Sequence, residues 1–112
     1  MEENGRKSYV YLLGDWERDG VYKIGVTRGD IDKRIKKLQT GNSGEIYLID
    51  YYQTERPFMV EKLMHDKFFP DKKIGEWFEL SFEDRVNFKK LCSFYDDMFD
   101  SISDNPFVQN IS

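Results

Sequence analysis

Lys23 and Arg34 stand in neighbouring stretches whose patterns would bring both cations to one anion. In Val21-Tyr22-Lys23-Ile24-Gly25-Val26-Thr27 the residues alternate, with Tyr22, Ile24 and Val26 on one face and Lys23, Gly25 and Thr27 on the other. The apolar trio seats a strand on a core. The opposite face keeps one cation, and its glycine lets another group approach the backbone closely. After a break at Gly29, Asp30 can cap a helix in which Ile31, Ile35 and Leu38 recur at helical spacing, with Arg34 at the edge of the apolar stripe. A strand delivering Lys23 beside a helix delivering Arg34 makes an anion-binding corner. Lys33, Lys36 and Lys37 add further cations to that helix; its simplest role is a solvated face, and its place beside Lys23 raises the alternative of a ligand. Further along, Glu61 and His65 are four apart on one helical face, as either a site or a helix-stabilising contact.

The elements that must position these groups follow from the same patterns. Ser8 to Leu13 is rich in strand formers, and the polar connection Gly14 to Gly20 returns the chain as a hairpin, which would bring Tyr11 next to Lys23 or Gly25. Thr40 to Gly44 reads as a loop. Glu45 to Gln53 alternates as a third strand, with Ile46 and Leu48 set against Tyr47, Ile49 and Tyr51. Pro57 suits the first turn of a helix to about Phe69, with Val60, Leu63, Met64 and Phe68 as its buried stripe. Glu76 to Leu80 is a short aromatic strand, and Ser81 caps a third helix to about Phe99, burying Phe82, Val86, Leu91, Cys92, Tyr95 and Phe99. This order predicts an α+β fold, a small antiparallel or mixed sheet with about three helices packed on it. Residues 8–99 form its single domain, between a flexible leader over 1–7 and a polar, partly ordered tail over 100–112.

Composition narrows the choice of function. The chain has 112 residues, of which 39% are hydrophobic and 16% aromatic, enough to fill one modest core. No apolar run is long enough to span a bilayer and no signal-peptide core follows the charged start, so a cytoplasmic protein is expected, in a host cell if the source is viral. One cysteine, Cys92, excludes an internal disulfide, and with one histidine it cannot build a structural zinc site without other ligands. The net charge of −4 argues against nucleic acid at first sight. The charges are segregated, however: cations gather at 33–37, and Asp96, Asp97, Asp100 and Asp104 gather near the carboxyl end.

Val10-Tyr11, Tyr22-Lys23-Ile24-Gly25, Arg34, Leu38-Gln39-Thr40-Gly41-Asn42, Glu61 with His65, and Glu76-Trp77-Phe78 together resemble the GIY-YIG nuclease superfamily. The nearer resemblance is to the branch carrying Tyr-Lys-Ile-Gly, seen in phage open reading frames and a meiotically up-regulated yeast gene. It covers about residues 8 to 90. The resemblance implies a three-stranded antiparallel sheet flanked by helices and bearing a metal-dependent phosphodiester hydrolase site. Tyr11 would lie near the attacking water, Arg34 would bind the scissile phosphate, and Glu61 would hold one Mg2+ or Mn2+. Guanidinium offers a planar fork for phosphate, and a carboxylate suits magnesium, which keeps several waters. His65 joins the candidate catalytic residues, and Gly25, Thr27, Lys33, Lys37 and Asn42 are candidate substrate contacts.

Two departures from the family pattern matter. The first motif reads Tyr9-Val10-Tyr11 without its glycine, and Lys23 occupies the tyrosine position of the second. An ammonium near Tyr11 would favour the phenolate and lower its pKa, and Lys23 could also offset phosphate charge. Taken singly, each residue has a plainer role: Tyr11 as a sheet aromatic, Lys23 as an edge-strand guard, Arg34 as a partner of Asp30, Glu61 as helix surface. Taken as a set they point to an endonuclease domain acting on DNA, as a homo-oligomer if both strands are to be cut. The alternatives are an inactive module of the same fold that binds nucleic acid or a protein partner, and an acidic-tailed mimic of DNA.

Overall fold

The structure is a computed structural model that describes residues 7–103. The leader expected over 1–7, Lys7 apart, and the end of the tail expected over 100–112 lie outside the described residues. In chain order the elements are β1 (Ser8–Asp15), β2 (Arg18–Arg28), α1 (Ile31–Gln39), β3 (Ile46–Gln53), α2 (Pro57–Lys67), a 3-10 turn (Phe69–Asp71), β4 (Lys72–Ile74), β5 (Trp77–Glu79), α3 (Phe82–Val86) and α4 (Phe88–Ser103). The fold class is the α+β arrangement expected. The sheet has five strands in the order β3-β1-β2-β5-β4, with every neighbouring pair antiparallel.

The hairpin is tighter than its polar connection suggested. Strand pairing continues to Asp15 opposite Arg18, so only Trp16 and Glu17 turn the chain. Asp15 explains this: its buried carboxylate accepts the Glu17 backbone N–H at 2.8 Å and the Asn42 side-chain amide at 2.8 Å, and lies 3.4 Å from Arg18. An Asx-type bond of this kind stabilises a turn through the residue's own side chain. Tyr11 then lies opposite Gly25, as the pairing argument expected.

Alternation divides the sheet into two unlike faces. Val10, Leu12, Tyr22 and Ile24 point toward α2 and α4 and bury against Val60, Met64, Phe68, Phe88 and Cys92. Burial of such side chains contributes about 1.5–3 kcal/mol each, so most of the fold's stability lies on this side. The other face holds a smaller cluster of Tyr11, Leu13 and Ile46, which Ile35 and Leu38 of α1 cover only in part. α1 itself has no fully buried residue. Its start is fixed by Asp30, whose carboxylate accepts the Asp32 and Lys33 N–H groups, after Gly29 at a φ of 135° that side-chain-bearing residues rarely adopt.

Three expectations need correction. β3 does not alternate throughout: one extra residue is accommodated opposite Leu12/Leu13, so that Leu13 faces Leu48 and Tyr11 faces Tyr51. The bulge moves Tyr51 from the Ile49 face to the Tyr11 face. The helix expected from Ser81 to Phe99 is two helices. Asn87 ends the first after a complete Ser81/Asp84 capping box, which resets the phase, so Phe82 and Val86 are 72% and 61% exposed while Phe88 is buried. Finally, the interval between α2 and the Glu76 strand, to which the sequence pattern assigned no element, holds a three-residue edge strand, β4, returning through Gly75.

The junction of α2 with α4 makes the fold sensitive to acid. Arg56 Nε donates to Asp96 at 2.7 Å, Tyr52 Oη donates to the same carboxylate at 2.9 Å, and Arg56 also pairs with Asp100. Burial pushes the Asp96 carboxyl up, but hydrogen bonds from Arg56, Thr54 and Tyr52 outweigh it and hold the group below its ordinary value. Burial and the adjacent carboxylate raise the Tyr52 hydroxyl to about 12. Asp15 is also lowered: the bonds from Asn42 and Glu17 and the nearby Arg18 overcome its burial. A carboxylate depressed in the folded state stabilises above its unfolded pKa of about 3.9, and that stability is lost as pH falls through the folded value. Urea midpoints should therefore drop below about pH 4, and Asp96→Asn should lower stability at neutral pH while flattening that acid limb. An unaltered limb in Asp96→Asn would show that this carboxylate contributes nothing to it.

Candidate active site

The site forms where β5 leaves β2. Among the described residues their pairing covers only Val21 to Lys23, so the backbone of β2 from Ile24 onward has no strand neighbour among them on that side. Backbone groups at such an edge need partners. Ile24 N–H donates to the Glu76 carbonyl at 3.3 Å, and the Ile24 carbonyl accepts from His65 Nε2 at 2.9 Å. A carbonyl only accepts, so Nε2 carries the proton. Finishing this edge places Glu76 from the β4–β5 hairpin and His65 from α2 beside the strand that holds Lys23 and Gly25.

Tyr11 occupies the centre. It is fully buried on β1, between Gly25 of β2 and Tyr51 of β3. Its ring lies directly on Gly25, where a Cβ would come within 2.5 Å of the hydroxyl oxygen. That hydroxyl accepts a hydrogen bond from Arg34 Nε at 3.3 Å. The expected pairing of Arg34 with Asp30 is made only through the backbone, by Arg34 N–H to the Asp30 carbonyl. Lys23 Nζ lies 3.1 Å from a Glu76 carboxylate oxygen and 5.9 Å from the Trp77 ring. Glu61, mostly buried on α2, lies 3.8 Å from His65 Nε2.

The electrostatics tie these groups together. Burial raises the Tyr11 hydroxyl; Arg34 opposes this through its bond and charge, and Glu76 and Glu61 add to the rise. Burial likewise raises Glu61, with His65 and Lys23 pulling it down and Glu76 pushing it up. Tyr11, Arg34, Lys23, Glu61, His65 and Glu76 thus share one field. The expectation that Lys23 would lower the Tyr11 pKa is overturned: the phenol is raised, burial dominates, and the Lys23 ammonium is paired with Glu76. Tyr11 is therefore a neutral hydroxyl near neutral pH.

The candidate substrate contacts divide. Gly25 floors the Tyr11 ring, while Thr27, Lys33 and Lys37 line an open groove of about 960 Å³ that reaches Arg34. Asn42 lies elsewhere: its amide is given to Asp15 and to the Gly44 carbonyl, where Gln39 also donates to Gly44 and accepts from Ile46 N–H. Asp15 is four residues along β1 from Tyr11, about 13 Å away. The Gln39-Thr40-Gly41-Asn42 stretch therefore clamps the α1–β3 loop to the hairpin turn. Glu76 was noticed in the sequence only beside its aromatic neighbours. Its place depends on pairing between segments some fifty residues apart, for which the local pattern carries no signal.

Among the described residues no group of three or more His, Cys, Asp or Glu side chains could hold a metal ion. The donor chemistry of Glu61 still fits magnesium, which binds through one or two carboxylates and keeps several waters. A cation there would also compensate a carboxylate that burial disfavours in its ionised form.

Tyr11, Arg34, Lys23 and the carboxylates of Glu61 and Glu76 thus make a mixed-charge cluster at the free edge of an antiparallel sheet in an α+β domain. The family model of the T5orf172 domain matches residues 8–93, from the first residue of β1 into α4, and the chain belongs to that family. Neither a curated protein nor a solved structure matches the chain. Among the described residues no helix is long and apolar enough to cross a membrane.

Proposed function

We propose that the chain is a GIY-YIG-type endonuclease domain of the Tyr-Lys-Ile-Gly branch, hydrolysing DNA phosphodiester bonds with one divalent cation, Mg2+ or Mn2+. The observation that carries this reading is the Arg34–Tyr11 hydrogen bond, made within the field of Glu61 and Glu76 at the inner end of a basic groove. In this reading the free N–H groups of Arg34 grip the scissile phosphate as a planar fork. The Tyr11 hydroxyl, kept neutral, orients the water whose oxygen bonds phosphorus as the P–O bond to the leaving group breaks. Glu76, nearly half exposed, is the carboxylate through which the water's proton can leave, and Lys23 can turn from it toward charge developing on the phosphate. His65 is a positioning residue, bonded to the Ile24 carbonyl with Glu61 3.8 Å from the same nitrogen at the sheet edge. A magnesium ion bound by Glu61 would stabilise charge on the leaving oxygen.

A second reading is favoured by the raised Tyr11 hydroxyl and the paired Lys23: a module of the same fold that binds nucleic acid or a protein without cutting. One experiment separates the two. NMR spectra recorded during magnesium or manganese titration, with and without a short DNA duplex, should show saturable changes centred on Glu61. They should be absent in Glu61→Gln, and cleavage should depend on the same metal. Spectra indifferent to both metals, together with intact DNA, would leave the binding module as the reading.

A further inference from the structure

We propose that the groove leading from Arg34 is a track for single-stranded nucleic acid, in which Tyr51 and Tyr9 offer ring surfaces to unpaired bases while α1 and the end of β2 hold the phosphates. This rests on the reading of the site as one for nucleic-acid phosphates, and goes beyond it in naming the strand state of the ligand.

The groove's two sides differ in chemistry. Its lining carries five cationic side chains against two carboxylates, and one of those carboxylates, Asp30, is committed to capping α1. Lys33 and Lys37 stand on α1, and Arg28 at the end of β2. The floor is apolar, made by Tyr9, Leu48 and Tyr51. Tyr51 is 43% exposed and meets Tyr9 edge to face, with ring centroids 5.7 Å apart. Lys89 Nζ lies over the Tyr51 ring, 4.8 Å from its centre, and pairs with Asp50, so one face of that ring already carries a cation.

Register ties this floor to the chemistry. Tyr51 is directly across from Tyr11, and Tyr9 is two residues along the same strand, opposite Thr27. Two residues of strand advance about 6.6 Å, close to the rise of two stacked nucleotides. A chain whose phosphate rests at Arg34 would thus have bases within reach of Tyr51 and Tyr9, whose rings stand 79° apart and so take bases in different orientations rather than in one continuous stack. A duplex cannot use that floor, because each base face is already covered by its neighbours and only edges and phosphates are presented. An unpaired base offers its face, and cationic walls around aromatic surfaces are the general device for holding single strands.

The test measures binding with EDTA present, so that cleavage plays no part. Fluorescence anisotropy of a labelled twelve-nucleotide thymidine strand and of a blunt duplex of equal length is followed with the full chain. The strand should bind at least about tenfold more tightly, and Tyr51→Leu, which keeps apolar bulk and removes the ring, should weaken strand binding about five- to a hundredfold and leave the duplex unmoved. Tyr51→Phe should bind as the unmodified chain does, and circular dichroism of both variants checks that this exposed position has not disturbed the fold. Equal affinity for strand and duplex would overturn the proposal, and so would strand binding unchanged in Tyr51→Leu. Failure of the nuclease reading looks different: a chain that prefers the strand in EDTA but cuts nothing in magnesium keeps the track. A chain that cuts duplex without strand preference loses it.

Discussion

An Arg34→Ala chain should keep its fold and, on the proposed nuclease reading, lose on the order of a hundredfold to a thousandfold in metal-dependent cleavage, because it removes the donors that would grip the phosphate. The same change leaves the Tyr11 hydroxyl, on a fully buried residue, without the donor that now reaches it. An unpaired buried hydroxyl costs about 1–3 kcal/mol, so a lower urea midpoint is also expected. The two effects can be separated. In Arg34→Ala combined with Tyr11→Phe the stability loss should shrink, since no orphaned hydroxyl remains, while activity stays lost. Arg34→Lys should restore little, because an ammonium retains the charge but not the planar fork. Full cleavage by Arg34→Lys would mean that Arg34 acts as a general cation and that the geometry of its contact with Tyr11 is incidental.

Gly25→Ala should be nearly as damaging to cleavage although it adds one methyl group and alters no charge. The added carbon would meet Tyr11 at 2.5 Å from the hydroxyl oxygen and 2.7 Å from Cζ. The ring cannot move aside cheaply, since Tyr11 is fully buried among Leu13, Ile46, Ile35 and Leu38. Either the ring swings out and the Arg34 contact breaks, or the strands shift; overpacking of this kind costs about 1–3 kcal/mol. Denaturant unfolding combined with a cleavage assay would measure both. Shortening the opposing side chain supplies the control: Gly25→Ala with Tyr11→Leu should be more stable than the sum of the single changes, a coupling visible in a double-mutant cycle. Additive losses would show that the glycine is needed for something other than the ring above it.

The parts of the fold legible in the sequence were those written in short-range periodicity. Alternation in Val21 to Thr27 identified β2 and its working face, the hairpin brought Tyr11 to Gly25, and Asp30 marked the start of α1. Val60, Met64 and Phe68 are buried as expected, whereas Leu63, expected in the same stripe, is only partly so. What local patterns did not carry depends on pairing or phase. The bulge in β3 gives no compositional sign, yet it decides which face Tyr51 joins. Asn87 resembles any helix residue, but it restarts the count and exposes Phe82 and Val86. The same division holds at the site. Arg34 and Tyr11 meet through neighbouring elements, whereas Lys23 pairs with Glu76, which arrives through the long-range β2–β5 contact. The protonation of Tyr11 was misjudged because burial, the dominant cause, is not visible in a list of nearby charges.

The two faces of the sheet make separable demands on the sequence. Stability is concentrated where α2 and α4 pack, and the groove side is covered only by a helix with no fully buried residue. Side chains such as Lys33, Lys37 and Tyr51 can therefore be exchanged with little penalty to the shape that presents them. A scaffold arranged in this way is readily re-tasked: what its open face presents to a ligand can change by substitutions that the packed face does not register.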